Sequence, residues 1–216
     1  MNYRKINNNI VKLLSLNEVN TYIELLRATD FNTNQSCINQ DELAERAGIS
    51  ISTVQRHLYK MDKLNLITTE TTNGQSGTMM FKFNKYQIQY DISEHDEPEH
   101  WVYIDVGLLS KEPISNELKG FLVKLKICCF NYTNDCKYSV RELALEMGLG
   151  KSSVDKYLKL AESLGYIKWK REESIKLLRK DIFINGRETD YASIRGFHEI
   201  MLDELNFDEK GHFLRL

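Results

Sequence analysis

Apolar residues recur at helical intervals in two separated parts of the chain. Leu16, Val19, Tyr22, Ile23 and Leu26 stand three or four residues apart, as do Leu118, Leu122 and Leu125, and each set predicts an amphipathic helix. A polar loop follows each, "TDFNTNQS" in the first and "NYTNDC" in the second. The next stretches, "QDELAERAG" and "VRELALEMG", predict a short helix that the glycine closes in a left-handed conformation. A turn of three or four residues leads to a third helix. It buries Val54, Leu58 and Met61 in one case and Val154, Leu158 and Ala161 in the other, and Ser52 or Ser152 is its expected N-cap. β-type sequence closes each series. The first is "LITTETTNGQSGTMMFKFN", in which Asn73-Gly74 signals a hairpin turn. The second is "YIKWK" and a later "DIFIN", joined by the charged "REESIKLLRK".

The two series are one pattern written twice. Residues 40–67 align without gaps on residues 140–167, and nine positions are identical: Glu42, Leu43, Ala44, Gly48, Ser52, Val54, Leu58, Leu64 and Ile67 each recur a hundred residues later. Weaker matches extend upstream to Ser15 with Ser115 and Tyr3 with Tyr103. The expected organisation is a first module over 1–90, an acidic linker over 91–100, a second module over 101–190 and a helical tail over 191–216. The fold class is mainly α with small β-hairpin wings, an α+β arrangement.

Helix, tight turn, capped helix and hairpin, in this order, resembles the winged helix-turn-helix family of DNA-binding domains. Leu43, Ala44, Gly48, Ile49, Ser52, Val54 and Leu58 carry the likeness, together with their partners in the second copy. The small residue at 44 and 144 lets two helices approach, the glycine makes the turn, and the valine and leucine lock the third helix down. The resemblance implies that the third helix enters the DNA major groove and that the hairpin touches backbone or minor groove. On this sequence the implied groove-facing residues are Ser50, Ser52, Thr53, Gln55, Arg56 and Tyr59 in the first copy. In the second they are Lys151, Ser152, Ser153, Asp155, Lys156 and Lys159. Gln55 suits adenine, Arg56 guanine and Asp155 cytosine. Lys151, Ser152 and Ser52 stand near helix N-termini, which attract phosphate, and Lys82, Lys85, Lys168 and Lys170 on the hairpins can neutralise further phosphates. The exposed positions of the two third helices differ. Either the copies read two different half-sites, or one reads DNA and the other serves another purpose.

Charge changes this picture in one respect. The net charge is −2, yet residues 91–99 hold five acids and residues 188–209 hold seven against Arg195. Setting those two stretches aside leaves 28 bases and 19 acids, a balance suited to a polyanionic partner. The chain is 42% hydrophobic and 28% charged, ordinary for a globular protein. Its apolar runs are short and broken by lysine, and "MNYRKINNNIVKLL" has no signal-peptide core, so no membrane association and a cytoplasmic location are expected.

Other chemistries find little support in the residues. The stretch "GLGKSS" at 148–153 imitates the end of a phosphate-binding loop, but the glycine that motif requires falls on Leu145, and a helix precedes it rather than a strand. Cys37, Cys128, Cys129 and Cys136 show no metal-ligand spacing and read as buried free thiols. The "HDEPEH" cluster, with His95, Asp96, Glu97, Glu99 and His100, reads as a solvated linker rather than a metal site. No nucleophile–base pair stands out, so an enzyme, a cofactor and a small-molecule ligand are not expected. Ile194, Phe197, Met201 and Leu205 share one face of the tail, which either packs on the second module or offers a homodimer contact. His57 on the third helix receives no role. The expected function is sequence-specific binding of double-stranded DNA in replication initiation or transcription regulation. The first helix, "LSLNEVNTYIELL", looks like that of plasmid or phage replication initiators, and the alternative is an architectural protein that holds protein partners.

Overall fold

Ser15 and Ser115 each start the helix that organises the half of the chain following them. Glu18 N–H donates to Ser15 Oγ and Ser15 N–H returns to Glu18 Oε2 at 2.6 Å, a reciprocal cap that begins helix α2, Leu16–Arg27. Leu118 N–H donates to Ser115 Oγ at the start of helix α6, Asn116–Ile127. In this computed structural model, residues 3–30, 32–76, 79–89, 101–130, 133–170 and 174–184 are described. The linker 91–100 with its "HDEPEH" cluster, and the tail residues Ile194, Phe197, Met201 and Leu205, lie outside them.

The same order of elements occurs twice. The first series is β1 (Tyr3–Asn7), α1 (Asn8–Val11), α2, β2 (Gln35–Ser36), α3 (Gln40–Ala47), α4 (Ile51–Lys63), β3 (Ile67–Ser76) and β4 (Met79–Ile88). The second is β5 (Trp101–Asp105), α5 (Val106–Lys111), α6, β6 (Asp135–Cys136), α7 (Val140–Met147), α8 (Lys151–Ser163), β7 (Ile167–Lys170) and β8 (Ser174–Leu177), after which comes β9 (Phe183–Ile184). Left-handed backbone recurs with it: Asn34 with Asn134, Gly48 with Gly148 and Asn65 with Gly165 all have positive φ. Helices with small antiparallel sheets make the α+β fold that the pattern predicts. Among the described residues no helix is long and apolar enough to cross a membrane.

The two series meet along α2 and α6 and in a shared sheet of order β1-β5-β9. In its antiparallel register Arg4 faces Ile104, the residue a hundred positions later. Strands that pair at their own equivalent positions are related by a local two-fold axis through that pair. One buried cluster runs through both series, from Ile6 to Phe183. Helix α2 is buried at nine positions, including Asn20, Thr21 and Glu24, because it is enclosed by its own helix-turn-helix on one side and α6 on the other.

Several polar groups at this seam are matched across it. Ser110 Oγ donates to Glu24 Oε1 at 2.6 Å, Arg27 Nη1 donates to Ser110 Oγ at 2.8 Å, and Lys124 Nζ donates to Lys12 O at 3.1 Å. Burial pulls the lysines at 124 and 126 down to about 8. Lys126 donates to Asn134 Oδ1, whose amide in turn donates to Phe183 O at 2.7 Å. Arg4 reaches Leu26 O at 3.1 Å and Thr29 O beyond it, satisfying carbonyls at the end of α2.

Three sequence expectations are corrected here. Asn73-Gly74 does not turn the hairpin: both lie within β3, opposite Lys82 and Phe81, and the ladder continues to Ser76 with Met79. The return strand of the second hairpin comes from the charged "REESIKLLRK", whose Ser174–Leu177 pairs with β7, because Ile175 and Leu177 alternate inward around Lys176. Phe183–Ile184, expected in that hairpin, instead pairs with β5. Of the thiols, all free, Cys129 and Cys136 are buried as expected, Cys128 is half-buried at the end of α6, and Cys37 is exposed.

At Gly120 the backbones of α6 and α2 come close together. A Cβ built there falls 2.1 Å from Leu16 O, a backbone atom that no side-chain rotation can move. Gly120→Ala is therefore expected to part α2 from α6 and lower the unfolding free energy by about 1–3 kcal/mol or more, measured by urea denaturation.

Candidate nucleic-acid interface

Helix α3 starts at Asn39, whose side chain accepts from Glu42 N–H at 2.7 Å, and ends at Gly48 with φ 61°. Ile49 N–H returns to Ala44 O at 3.0 Å, closing the turn. The second copy repeats this closure: Gly148 has φ 65°, and Leu149 N–H bonds Ala144 O at 2.9 Å.

The caps of the third helices differ from expectation. Ser50, not Ser52, is the N-cap of α4, with extended backbone and an Oγ that accepts from Thr53 N–H at 3.3 Å. Ser152 is not the cap of α8 either. Gly150 holds that position and supplies no side-chain bond, which leaves the first-turn N–H groups without a side-chain acceptor. Ser52 and Ser152 already have helical backbone, so each is second in its helix rather than half outside it. Lys151 is the first residue of α8.

Burial divides each third helix into two faces. On α4, Val54, His57, Leu58 and Met61 are buried, while Ser50, Ser52, Gln55, Arg56 and Tyr59 are exposed and Thr53 is half-buried. On α8, Val154, Tyr157, Leu158 and Ala161 are buried. Lys151, Ser152, Lys156 and Lys159 are exposed there, with Ser153 and Asp155 half-buried. The twelve residues proposed for the groove are thus gathered on the outer faces of α4 and α8.

Some of these side chains are already engaged. Ser50 Oγ lies 3.0 Å from Ser52 Oγ and 2.9 Å from Thr53 Oγ1, a hydroxyl cluster at the helix start. Gln55 Nε2 donates to Gln40 Oε1 at 3.0 Å, so α3 orients its amide. Asp155 pairs with Lys159 one turn on at 2.5 Å, which leaves its carboxylate less available to a cytosine. Lys63 and Lys156 lie over the rings of Tyr59 and Tyr157, each 5.5 Å from the centroid.

The second hairpin adds a basic strip. Lys168 and Lys170 are exposed on β7, and Lys168 directly faces Lys176 on β8. Like charges opposite each other on a sheet repel, and an external anion relieves this repulsion. Lys176 also pairs with Asp135 at 3.3 Å. Sequence reasoning missed Lys176 because it lay in the presumed connector. The alternation Ile175-Lys176-Leu177 was the signal available. On the first hairpin Lys85 is half-buried, and Lys82 sits in β4 opposite Asn73.

His57 proves structural. Its Nδ1 lies 2.8 Å from Thr21 Oγ1, and the Thr21 hydroxyl lies 3.1 Å from Asn17 O, so the ring joins α4 to α2. Lys60 and Glu18 make a second tie at 2.6 Å. Burial opposes ionisation of Glu18, but Lys60 and the Ser15 amide outweigh it and hold the carboxyl below its ordinary value. In the second copy, Tyr157 OH donates to Glu117 Oε2 at 3.0 Å and its ring stacks on Phe121 with centroids 5.2 Å apart.

A family model described as winged helix-turn-helix DNA-binding matches residues 33–68, the stretch from the β2 turn through α3 and α4 into β3. The segment is thus similar to winged helix-turn-helix domains of DNA-binding type, and the match supports DNA binding in general terms. No curated protein matches the chain.

Two outcomes follow from this geometry. Ser50→Ala removes the cap of α4 and is expected to cost about 1 kcal/mol in denaturant unfolding, whereas Ser52→Ala leaves stability within about 0.5 kcal/mol. Burial lowers the His57 pKa below its ordinary 6.5, so the unfolded chain takes up this proton first as pH falls. The stabilisation from a neutral His57 is complete above pH 6.5 and declines as pH drops from there towards the folded-state pKa. Urea midpoints across that window should fall for the native chain and fall less for His57→Asn.

Proposed function

We propose that the chain is a cytoplasmic protein that binds double-stranded DNA sequence-specifically through two winged helix-turn-helix modules, in replication initiation or transcription regulation. One observation carries the reading. The outer polar face of α4, inside the matched segment 33–68, has a counterpart with different side chains a hundred residues later on α8, above buried residues at the same four positions.

The side chains support unlike roles for the two faces. Gln55 and Arg56 carry paired donors suited to purine edges in the major groove. Lys151 stands at the uncapped start of α8, where open N–H groups and the helix dipole favour a phosphate. The second module thus leans towards backbone contact, helped by Lys168, Lys170 and Lys176. The local two-fold axis at Arg4 and Ile104 favours half-sites of opposite orientation, with affinity raised by the covalent link between modules. A scaffolding role is the competing reading. Leu145, 77% exposed on α7, is the feature that favours it.

Selection of bound duplexes from a random pool, repeated at two salt concentrations, separates the two. An enriched motif and affinity that falls steeply with salt support DNA readout. A pool without enrichment and without salt-sensitive retention leaves scaffolding. Within the DNA reading, Arg56→Ala should relax preference at one base pair, at a cost of about 1–3 kcal/mol. Lys151→Ala should weaken binding to all sequences alike and reduce the salt slope by about 1.

A further inference from the structure

Each helix-turn-helix ends its first helix in a carbonyl at the same place, Ala47 O before Gly48 and Met147 O before Gly148. Side chains of one helix, α6, hold both. Asn116, the first residue of α6, donates from Nδ2 to Ala47 O at 2.5 Å, across the seam between the two series. Lys124, two turns further on, donates from Nζ to Met147 O at 2.8 Å and to Lys12 O at 3.1 Å. Lys12 closes the set by pairing with Glu146 of α7 at 2.6 Å. Between Asn116 and Lys124 lies Gly120, against the backbone of α2.

Helix α6 therefore acts as a bar with a grip at either end, one on each helix-turn-helix. The grips differ in kind. The Lys124 grip is a buried ammonium on carbonyls at a helix C-terminus, where a cation is favoured. The Asn116 grip is one neutral bond from a half-buried side chain, and it is the bond that ties α3 to the second series. Within its own series α3 packs on α2, and α4 packs on α2 and β3.

We propose that Asn116 is a positioning residue that fixes the separation and rotation of α4 relative to α8, and thereby selects the spacing between two DNA half-sites. This rests on the two-module reading above. Inserting one base pair moves a half-site by about 3.4 Å along the duplex and turns it by about 35°. A pair of recognition helices held at both ends does not follow that movement, whereas a pair released at one end does.

The test has a DNA-free arm and a DNA arm. In the first, the full chain carries Cys37→Ser and Cys128→Ser, with spin labels on Glu45→Cys and Leu145→Cys. These exposed, equivalent positions of α3 and α7 lie outside the proposed groove contacts. Double electron–electron resonance then reads the distance between them. Asn116→Ala should broaden the distribution about twofold. Asn116→Asp, which sets a carboxylate against Ala47 O, should broaden it further, and helical circular dichroism should stay unchanged in both. A distribution that keeps its width in both variants overturns the proposal.

In the second arm, duplexes carry the two half-sites at the selected spacing and with one or two base pairs added or removed. The native chain should lose about tenfold in affinity per base-pair change, Asn116→Ala less than about threefold, and binding to a single half-site should be equal for both proteins. Identical spacing profiles overturn the proposal. If neither protein binds any duplex, the two-module reading fails instead, and the distance measurement alone decides whether Asn116 positions the helices.

Discussion

The backbone approach of α6 to α2 at Gly120 is the constraint on which the other arrangements depend. With no side chain at that position, Leu16 O comes within a distance that excludes a Cβ, and the two helices join the two series into one buried cluster. Everything that faces DNA in the proposed reading hangs from this pair of helices. Helix α4 is held to α2 by His57 and Lys60, and α8 is held to α6 by Tyr157. The outer faces of α4 and α8 are thus positioned mainly by contacts on their buried sides.

Close approach has a second effect. Helices that are buried on nearly every side also enclose their polar residues, and these need partners inside. Glu24 finds Ser110 and Arg27, Lys124 finds two helix-terminal carbonyls, and Lys126 finds Asn134. Positions 24 and 124 are repeat equivalents with opposite charge, so the seam is unlike on its two sides although the same order of elements occurs on both.

What was legible in the sequence was local. Left-handed turn glycines, apolar residues at helical spacing and the recurrence at a hundred residues are backbone requirements that leave a mark within a few positions. The helix pairs α3–α4 and α7–α8 and the outward faces of α4 and α8 followed from them. Ser52 misled because a serine signals a cap but not which of two nearby serines has extended backbone. Lys176 was hidden because a four-residue strand inside a run of charges offers only one cycle of alternation. The sequence does not single out Glu24, Lys119, Lys124 and Lys126 as buried, since nothing local reveals that a second helix from a hundred residues away covers them. Asn116 belongs to the same class, as its partner Ala47 lies across the seam.

The pairing of Arg4 with Ile104 shows what it means to hold both halves in one covalent chain. In a dimer of identical subunits, a residue on the two-fold axis meets its own copy, and an arginine there would face another arginine at strand-pairing distance. Here the axis passes between unlike side chains. One guanidinium turns away to satisfy the end of α2, and an isoleucine fills the matching place in the core. Freed from self-complementarity at its centre, the molecule can carry a charge where a symmetric assembly would have to exclude one.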